Sequence, residues 1–260
     1  MFDLDKWQEI FITIWHNKLR TFLTSFSVGW GIFMLVLLLG AGRGLENGVR
    51  SQFQDDATNS IWVSSGTTSL PHDGLQPGRN VRFTNEDYEA VLRNIPEADH
   101  VTGRFYIPGE LTVNRGDKFG DFDVRCVHPD HKYLERTHIV RGRFLNPLDI
   151  RNYRKVVAIG EKVDQSLFGE QNPIGHYIEF NGVPFQVVGQ FEDAGDESEQ
   201  EMIYMPISTA QRTFGGQNRI NRVMFTIGDA TVKESEVIAD RLRQNLAKRH
   251  HFAPEDDRAI

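Results

Sequence analysis

The sequence predicts an α+β protein in which one membrane-spanning helix precedes a body of mixed helices and strands. Three observations support this fold class. Twenty uncharged residues run from Phe22 to Ala41, although 25% of the 260 residues are charged. A strand–helix–strand pattern follows residue 50, and a strand–helix pattern returns near the C-terminus. Because strand-rich sequence separates these patterns, the body is expected to combine a discontinuous α/β part with an inserted β-rich part.

The apolar run has the length of a membrane helix. Twenty helical residues span roughly 30 Å, the thickness of a bilayer's hydrocarbon core. A secretory signal has a shorter apolar region of about 7–15 residues, although the small residues at 40–42 could mimic a cleavage site. A buried helix of a soluble domain is usually shorter and keeps a polar edge. A retained transmembrane helix over residues 21–43 is therefore the favoured interpretation.

The preceding segment, residues 1–20, is predicted to form an amphipathic helix. Its apolar residues, including Trp7 and Trp15, recur at helical spacing, and tryptophans of this kind suit a membrane interface. Packing of the same face on protein explains the pattern equally well. Lys18 and Arg20 adjoin the run and would act as interface anchors. Basic residues also follow the run, so the charge bias only slightly favours a cytoplasmic N-terminus.

The glycines of the apolar run are interpreted as helix-packing positions. Gly29 and Gly31 form a G-x-G, but no strand precedes it and no acidic ribose partner follows, as a dinucleotide site would need. Small residues in a membrane helix allow another helix to approach closely. The chain also contains no G-x-x-x-x-G-K-[ST], so it has no P-loop of its own.

The two ends of the body have related patterns. Residues 52–108 are expected to hold a strand at 61–66, a helix that begins at Thr84 with Asp87 in a capping box, and a strand at 100–106. Residues 218–260 are expected to hold a strand at 222–228 and a helix capped by Thr231 and Glu234. The apolar faces predicted for the two helices are Tyr88, Val91, Leu92 and Ile95 in the first, and Ile238, Leu242 and Leu246 in the second.

The β-rich part is assigned to residues 109–217. Its clearest signal is Asn181-Gly182, a type I′ hairpin turn in which both central residues need positive φ. This turn places Phe180 opposite Val183 and Ile178 opposite Phe185. A strand at 154–160 precedes the hairpin, and a strand followed by a helix comes after it.

Candidates for chemistry in the body are weak. The stretch CVHPDH contains Cys126, His128, Asp130 and His131, which can all ligate metal, but zinc sites usually need a second ligand pair at a distance. A turn after a strand is the simpler explanation. The acidic run at 192–201 has no EF-hand spacing, and G-x-S-x-G and H-E-x-x-H are absent. No catalytic, cofactor or metal residue is predicted, and the net charge of −7 argues against nucleic-acid binding.

Two stretches resemble a known family. NKLRTFLTSFSVGWGIFMLV, residues 17–36, resembles the first membrane segment of permeases in the MacB/LolC/FtsX superfamily of ABC transporters. RGRFLNPLDIRNYRKVVAIGEKVDQSLFGEQNPIGHYIEFNGVPFQVVGQFED, residues 141–193, is similar to the central part of their periplasmic core domain. Together these stretches cover about seventy residues closely.

The resemblance implies a fold and a role. Residues 44–260 would be a periplasmic domain with a discontinuous porter-like subdomain and an inserted sabre-like one, carried by a single pass through the bacterial inner membrane. The permease would be a homodimer or pair with a related permease, and a possible periplasmic adaptor is a further partner. A partner ATP-binding subunit would hold ATP and Mg²⁺ and hydrolyse the nucleotide, so this chain is not expected to be an enzyme. Three later membrane helices are expected, which would make the chain a fragment.

The substrate and subfamily stay open. Efflux, lipoprotein release and hydrolase activation all fit the resemblance. The alternative function is a stand-alone, membrane-tethered periplasmic sensor or binding module. An anchored enzyme is the least favoured of the three, because no catalytic constellation is visible in the sequence.

Overall fold

The computed structural model describes residues 15, 17–52, 60–192 and 199–260. The chain divides into two compact units, Met1–Phe53 and Gln54–Ile260. Most of the amphipathic helix predicted for residues 1–20, including Trp7, lies outside the described residues, as does most of the acidic run at 192–201.

The first unit contains helix α1, Lys18–Gln52, which extends beyond the predicted membrane segment at both ends. Its stretch Lys18–Leu45 is long and apolar enough to cross a membrane. The most apolar part of this stretch contains no buried residue. Two hydroxyls of the helix bond to its own carbonyls, Thr24 Oγ1 to Arg20 O at 3.0 Å and Ser27 Oγ to Leu23 O at 2.8 Å. These polar groups are therefore satisfied within the helix, as a lipid environment requires.

The second unit, here called the body, is built around one mixed sheet. Among the described residues, eleven strands form it in the order β1-β13-β3-β6-β11-β8-β10-β9-β4-β5, with β7 paired to β10. The strands β2 and β12 form a separate pair. The strands are β1 (Ser60–Ser64), β2 (Phe83–Thr84), β3 (Val101–Phe105), β4 (Val113–Arg115), β5 (Lys118–Gly120), β6 (Asp123–Val127), β7 (His138–Gly142), β8 (Val156–Gly160), β9 (Tyr177–Phe180), β10 (Val183–Glu192), β11 (Met202–Pro206), β12 (Arg219–Ile220) and β13 (Arg222–Thr226).

Helices connect the strands of the body. They are α2 (Asn85–Asn94), α3 (His131–Leu134), α4 (Pro147–Arg151), α5 (Glu161–Leu167), α6 (Ile207–Thr213) and α7 (Val232–His250), with one 3₁₀ turn at Glu199–Glu201. Thr84 and Thr231 cap α2 and α7 in capping boxes, as predicted. Both caps satisfy backbone N–H groups that a helix N-terminus leaves unpaired.

The two outer segments of the body meet in the sheet. β13 lies between β1 and β3 and is antiparallel to both, so β1 and β3 run parallel to each other. The predicted strand–helix–strand unit is therefore split by a strand from the C-terminal segment. The inserted strands do not form a separate sheet, because β6 pairs with β3 and continues the same ladder.

The predicted hairpin is confirmed in turn and register. Asn181 and Gly182 have φ angles of 47° and 79°, the left-handed values of a type I′ turn. Phe180 pairs with Val183, and Ile178 with Phe185. The turn chemistry and the alternation of apolar residues therefore give the same register.

The predicted apolar face is confirmed for α7 but is wrong at one position of α2. Ile238, Leu242 and Leu246 of α7 are buried as predicted. The prediction for Leu92 of α2 is wrong, since its side chain is 52% exposed. Asp87 is fully buried instead, because the face of α2 that meets the body carries a carboxylate with partners on α7.

Candidate functional site

The predicted interface anchors lie at the start of the apolar helix. Lys18 Nζ is 5.0 Å from the centre of the Trp15 ring, a cation–π distance. Trp15, Lys18 and Arg20 are exposed, and Trp7 lies outside the described residues. An aromatic ring and basic groups at one end of an apolar helix are typical of a membrane interface. Their anchoring role stays a prediction.

The predicted packing positions are not distinguished by their surroundings. A Cβ added at Gly29 or Gly31 would meet no other described atom within 4 Å, and the same is true at Gly40, Gly42 and Gly44. Two residues apart on a helix are about 200° apart around its axis. Gly29 and Gly31 would therefore contact different neighbours, and their role in packing also stays a prediction.

A stack of aromatic rings on α1 was missed in the sequence. Phe22, Phe26, Trp30 and Phe33 follow one another with ring centroids 5.7–6.1 Å apart. The four residues share a helix face because their spacing is three or four positions. That spacing was the signal in the sequence that could have identified the stack.

The side chains of the CVHPDH stretch lie in different surroundings within the body. Cys126 is fully buried in the main apolar core, where burial raises the pKa of its thiol well above the usual range. His128 Nδ1 accepts a hydrogen bond from the Gly103 N–H at 2.9 Å. His131 is also buried, and Asp130 precedes helix α3. Within the described part of the chain, no three potential ligands gather at one point.

Glu135 is the centre of a buried polar network that the sequence did not reveal. Its carboxylate lies 2.7 Å from Arg125 Nη1 and 3.0 Å from His131 Nε2, and it accepts a 2.5 Å hydrogen bond from the Tyr204 hydroxyl. Burial favours the neutral acid, but His131 and Arg125 outweigh burial and hold the pKa of Glu135 well below its usual range. The network joins β6, α3 and β11. Only the spacing of His131 and Glu135 was visible beforehand, since it is the i,i+4 spacing of a helix.

Asp87 forms a second network, which joins the outer segments of the body. Oδ1 accepts from Arg249 Nε at 2.8 Å and lies 3.0 Å from His250 Nε2, while Oδ2 accepts from the Thr84 N–H at 2.7 Å. Burial alone would raise the pKa of Asp87, but the hydrogen bonds from His250, Arg249 and Thr84 lower it to about 2. One carboxylate therefore caps α2 and fixes the C-terminal end of α7.

We expect Asp87→Asn to lower the free energy of unfolding of the body by about 2 kcal/mol at neutral pH, because it weakens charge-assisted hydrogen bonds. A depressed carboxyl pKa contributes stability above the unfolded value of about 3.9, and this contribution is lost as the pH falls toward about 2. Urea unfolding from acidic to neutral pH measures both effects, and the variant should respond less to acid.

Glu97→Gln is the matched control for Asp87→Asn. Glu97 also binds an arginine, Arg241, at 2.8 Å, but it is exposed to solvent. Its removal should change stability by no more than about 1 kcal/mol. Equal acid sensitivity of Asp87→Asn and the wild type would contradict the role given to Asp87.

Comparison with known proteins identifies the family. The model of the MacB-like periplasmic core domain matches residues 21–242. The pyoverdine export ATP-binding/permease protein PvdT of Pseudomonas entomophila is 30% identical over 254 residues. The macrolide export ATP-binding/permease protein MacB of Chlorobaculum tepidum is 26% identical over 253 residues. In each case 95% of this chain is matched, and it spans 38% of the relative's length.

Two solved structures share the fold of the body. The periplasmic region of MacB from Actinobacillus actinomycetemcomitans has a TM-score of 0.63 at 20% identity and covers 77% of this chain and 88% of its own. The extracellular domain of the noncanonic ABC-type transporter YknZ from Gram-positive bacteria has a TM-score of 0.63 at 17% identity. The match covers 77% of this chain and 97% of that domain. Both structures contain extramembrane regions, so this fold forms apart from a membrane helix. With the family model matched from within α1 into α7, the chain belongs to the family of MacB-like periplasmic core domains.

Proposed function

We propose that this chain is the first membrane helix and the periplasmic body of an ABC-transporter permease. In this role the helix passes through the bacterial inner membrane, and the body changes conformation when ATP is hydrolysed on the cytoplasmic side. The observation that carries the proposal is the continuity of the family match, which runs without a break from the apolar helix into the body. The export function in the names of the relatives agrees with this role.

The proposal assigns ATP and Mg²⁺ to an ATP-binding domain or subunit. The relatives are named ATP-binding/permease proteins, and this chain corresponds to 38% of their length. The chain itself has no P-loop sequence. In this proposal its own contribution is to transmit motion. The further partners in the proposal are the lipid bilayer, a second permease of the same or a related sequence, and a periplasmic adaptor.

Labelling of single cysteines tests the topology that the proposal requires. We expect Asp117→Cys, in the exposed turn between β4 and β5, to react with a membrane-impermeant maleimide in intact spheroplasts. Asn17→Cys should react only after the membrane is permeabilised, because it precedes α1 on the cytoplasmic side. Both substitutions are made with Cys126→Ala.

The unmodified chain is a control for this labelling. Its single cysteine, Cys126, is fully buried, so the wild type should stay unlabelled on both sides of the membrane. Labelling of Asn17→Cys from outside, or protection of Asp117→Cys, would refute the proposed orientation. Copurification of the full-length protein with ATPase activity then separates a permease from a stand-alone tethered sensor.

A further inference from the structure

A cleft of about 600 Å³ lies where the outer and inserted segments of the body meet. Residues of the helices α2, α4 and α6 and of the turn after β6 line it. The lining residues that carry the inference are Tyr88, His128, Arg151 and Tyr153. The volume is within the range of about 300–1,000 Å³ that is typical of sites for small organic molecules.

His128 offers a hydrogen-bond donor that the protein does not use. The residue is 8% exposed, and its Nδ1 accepts from the Gly103 N–H at 2.9 Å. Burial lowers its pKa to about 3, so the imidazole is neutral at physiological pH. A neutral imidazole carries one proton, which must lie on Nε2 when Nδ1 is an acceptor. Among the described residues, Nε2 has no hydrogen-bond partner, and His128 lines the cleft.

Two tyrosines give the cleft aromatic surface. The Tyr88 ring is stacked on the His128 imidazole, with centroids 3.8 Å apart and planes within 4°. The Arg212 guanidinium lies 4.9 Å from the centre of the Tyr153 ring, and the Tyr153 backbone is left-handed, with φ of 52°. The Tyr88 ring is therefore held in place before any ligand arrives, which lowers the entropy cost of binding. Tyr153, which is 47% exposed, adds a second aromatic surface.

The charges at the cleft favour an uncharged ligand. Glu89 is paired with Arg93 at 3.2 Å, and Asp130 lies 4.0 Å from His100 Nδ1. Of the other charged groups, Asp130 is negative, Arg151 is positive, and the Arg212 guanidinium that lies against Tyr153 adds a second positive charge beside the lining. Because charges of both signs surround the cleft, an ion of either sign would meet a like charge as well as an opposite one, and it would lose part of its hydration on entry.

We propose that this cleft binds an uncharged, ring-bearing organic molecule whose carbonyl oxygen accepts a hydrogen bond from His128 Nε2–H. Its apolar face packs against Tyr88 and Tyr153. Since Tyr88 belongs to the outer segments and His128 to the inserted one, the ligand stabilises their contact. The inference rests on the geometry of the cleft and holds whether or not the body is part of a transporter.

Three probes with the same ring system and different charge test the ligand class. Naphthylacetamide is neutral and has a carbonyl, naphthylacetate is an anion, and naphthylethylammonium is a cation. Equilibrium dialysis against residues 54–260, the compact body, should show saturable 1:1 binding of the amide and weaker binding of both ions. The His128 Nε2 resonance in ¹⁵N NMR should shift with the amide. Absence of amide binding, or tighter binding of either ion, would overturn the proposal.

Variants locate the site. His128→Asn keeps an acceptor for the Gly103 N–H and removes the Nε2 donor, so the affinity for the amide should fall about tenfold, the value of one hydrogen bond. His176→Asn, at an exposed histidine outside the cleft, should bind like the wild type. If His128→Asn does not fold, Tyr153→Asn tests the site in its place. It removes an aromatic ring of the cleft, and asparagine tolerates the left-handed backbone of this position. Unchanged affinity in the folded cleft variants would place the probe elsewhere and refute the site.

Discussion

Replacement of Glu135 by alanine is expected to destabilise the body by about 3–5 kcal/mol. The substitution removes the carboxylate that lies 2.7 Å from the largely buried Arg125 guanidinium, which keeps the half-exposed Asp123 carboxylate at 2.9 Å. It also removes the acceptor of the Tyr204 hydroxyl, whose pKa burial and Glu135 together raise well above the usual range. Urea unfolding of residues 54–260, followed by circular dichroism, measures the loss.

Glu89→Ala is the comparison for Glu135→Ala. Glu89 also pairs with an arginine, Arg93, but both side chains are more than half exposed. Its loss should therefore cost no more than about 1 kcal/mol. A cost below about 1 kcal/mol for Glu135→Ala would show that the buried network adds nothing net to stability. Because Glu135 has a depressed pKa, its stabilisation should be present above about pH 4.3 and decline as the pH falls below that value.

Phe185→Ala is expected to lower the free energy of unfolding of the body by about 3–5 kcal/mol, because it leaves a cavity at a fully buried position. The Phe185 ring meets the Phe180 ring edge to face at 5.1 Å and is stacked on the Phe214 ring at 6.3 Å. One side chain therefore joins the β9–β10 hairpin to the end of α6. Urea unfolding of the same body measures the effect.

Phe119→Ala removes the same side chain from an exposed strand. Phe119 in β5 is 77% exposed, so its loss should change stability by about 0.5 kcal/mol or less. Equal effects of Phe119→Ala and Phe185→Ala would contradict the burial of Phe185. A loss for Phe185→Ala together with a reduced urea dependence would instead indicate a change in the surface exposed on unfolding or a loss of two-state behaviour.

The elements that could be predicted from the sequence are those fixed by near neighbours. The capping boxes at Thr84 and Thr231 and the turn at Asn181-Gly182 each depend on side chains within three residues of one another. The apolar helix α1, a candidate membrane span, is likewise a property of one continuous stretch. Leu92 shows the limit of this approach, because helical periodicity marked it as buried while the packing of α2 buries Asp87 in its place.

The arrangement of the body depends on contacts that no local pattern encodes. β6 and β11 pair in parallel although they are about eighty residues apart, and β13 inserts between β1 and β3. The same holds for the candidate sites. His128 was visible as a possible metal ligand, but its actual partners, Gly103 and Tyr88, come from β3 and α2. Glu135 meets Tyr204 only because β6, which precedes α3, pairs with β11 in the folded sheet.

The turn residue Asn181 has a consequence for the order of folding. Its left-handed backbone closes the hairpin, and its side chain accepts from the Thr112 N–H at 2.9 Å and donates to the Glu110 carbonyl at 3.1 Å. A two-residue hairpin closes within microseconds, whereas the encounter with a segment 69–71 residues away in sequence is slow. The rapidly formed turn therefore already presents the groups that later align strand β4, and a single asparagine links a fast local step to a slow one.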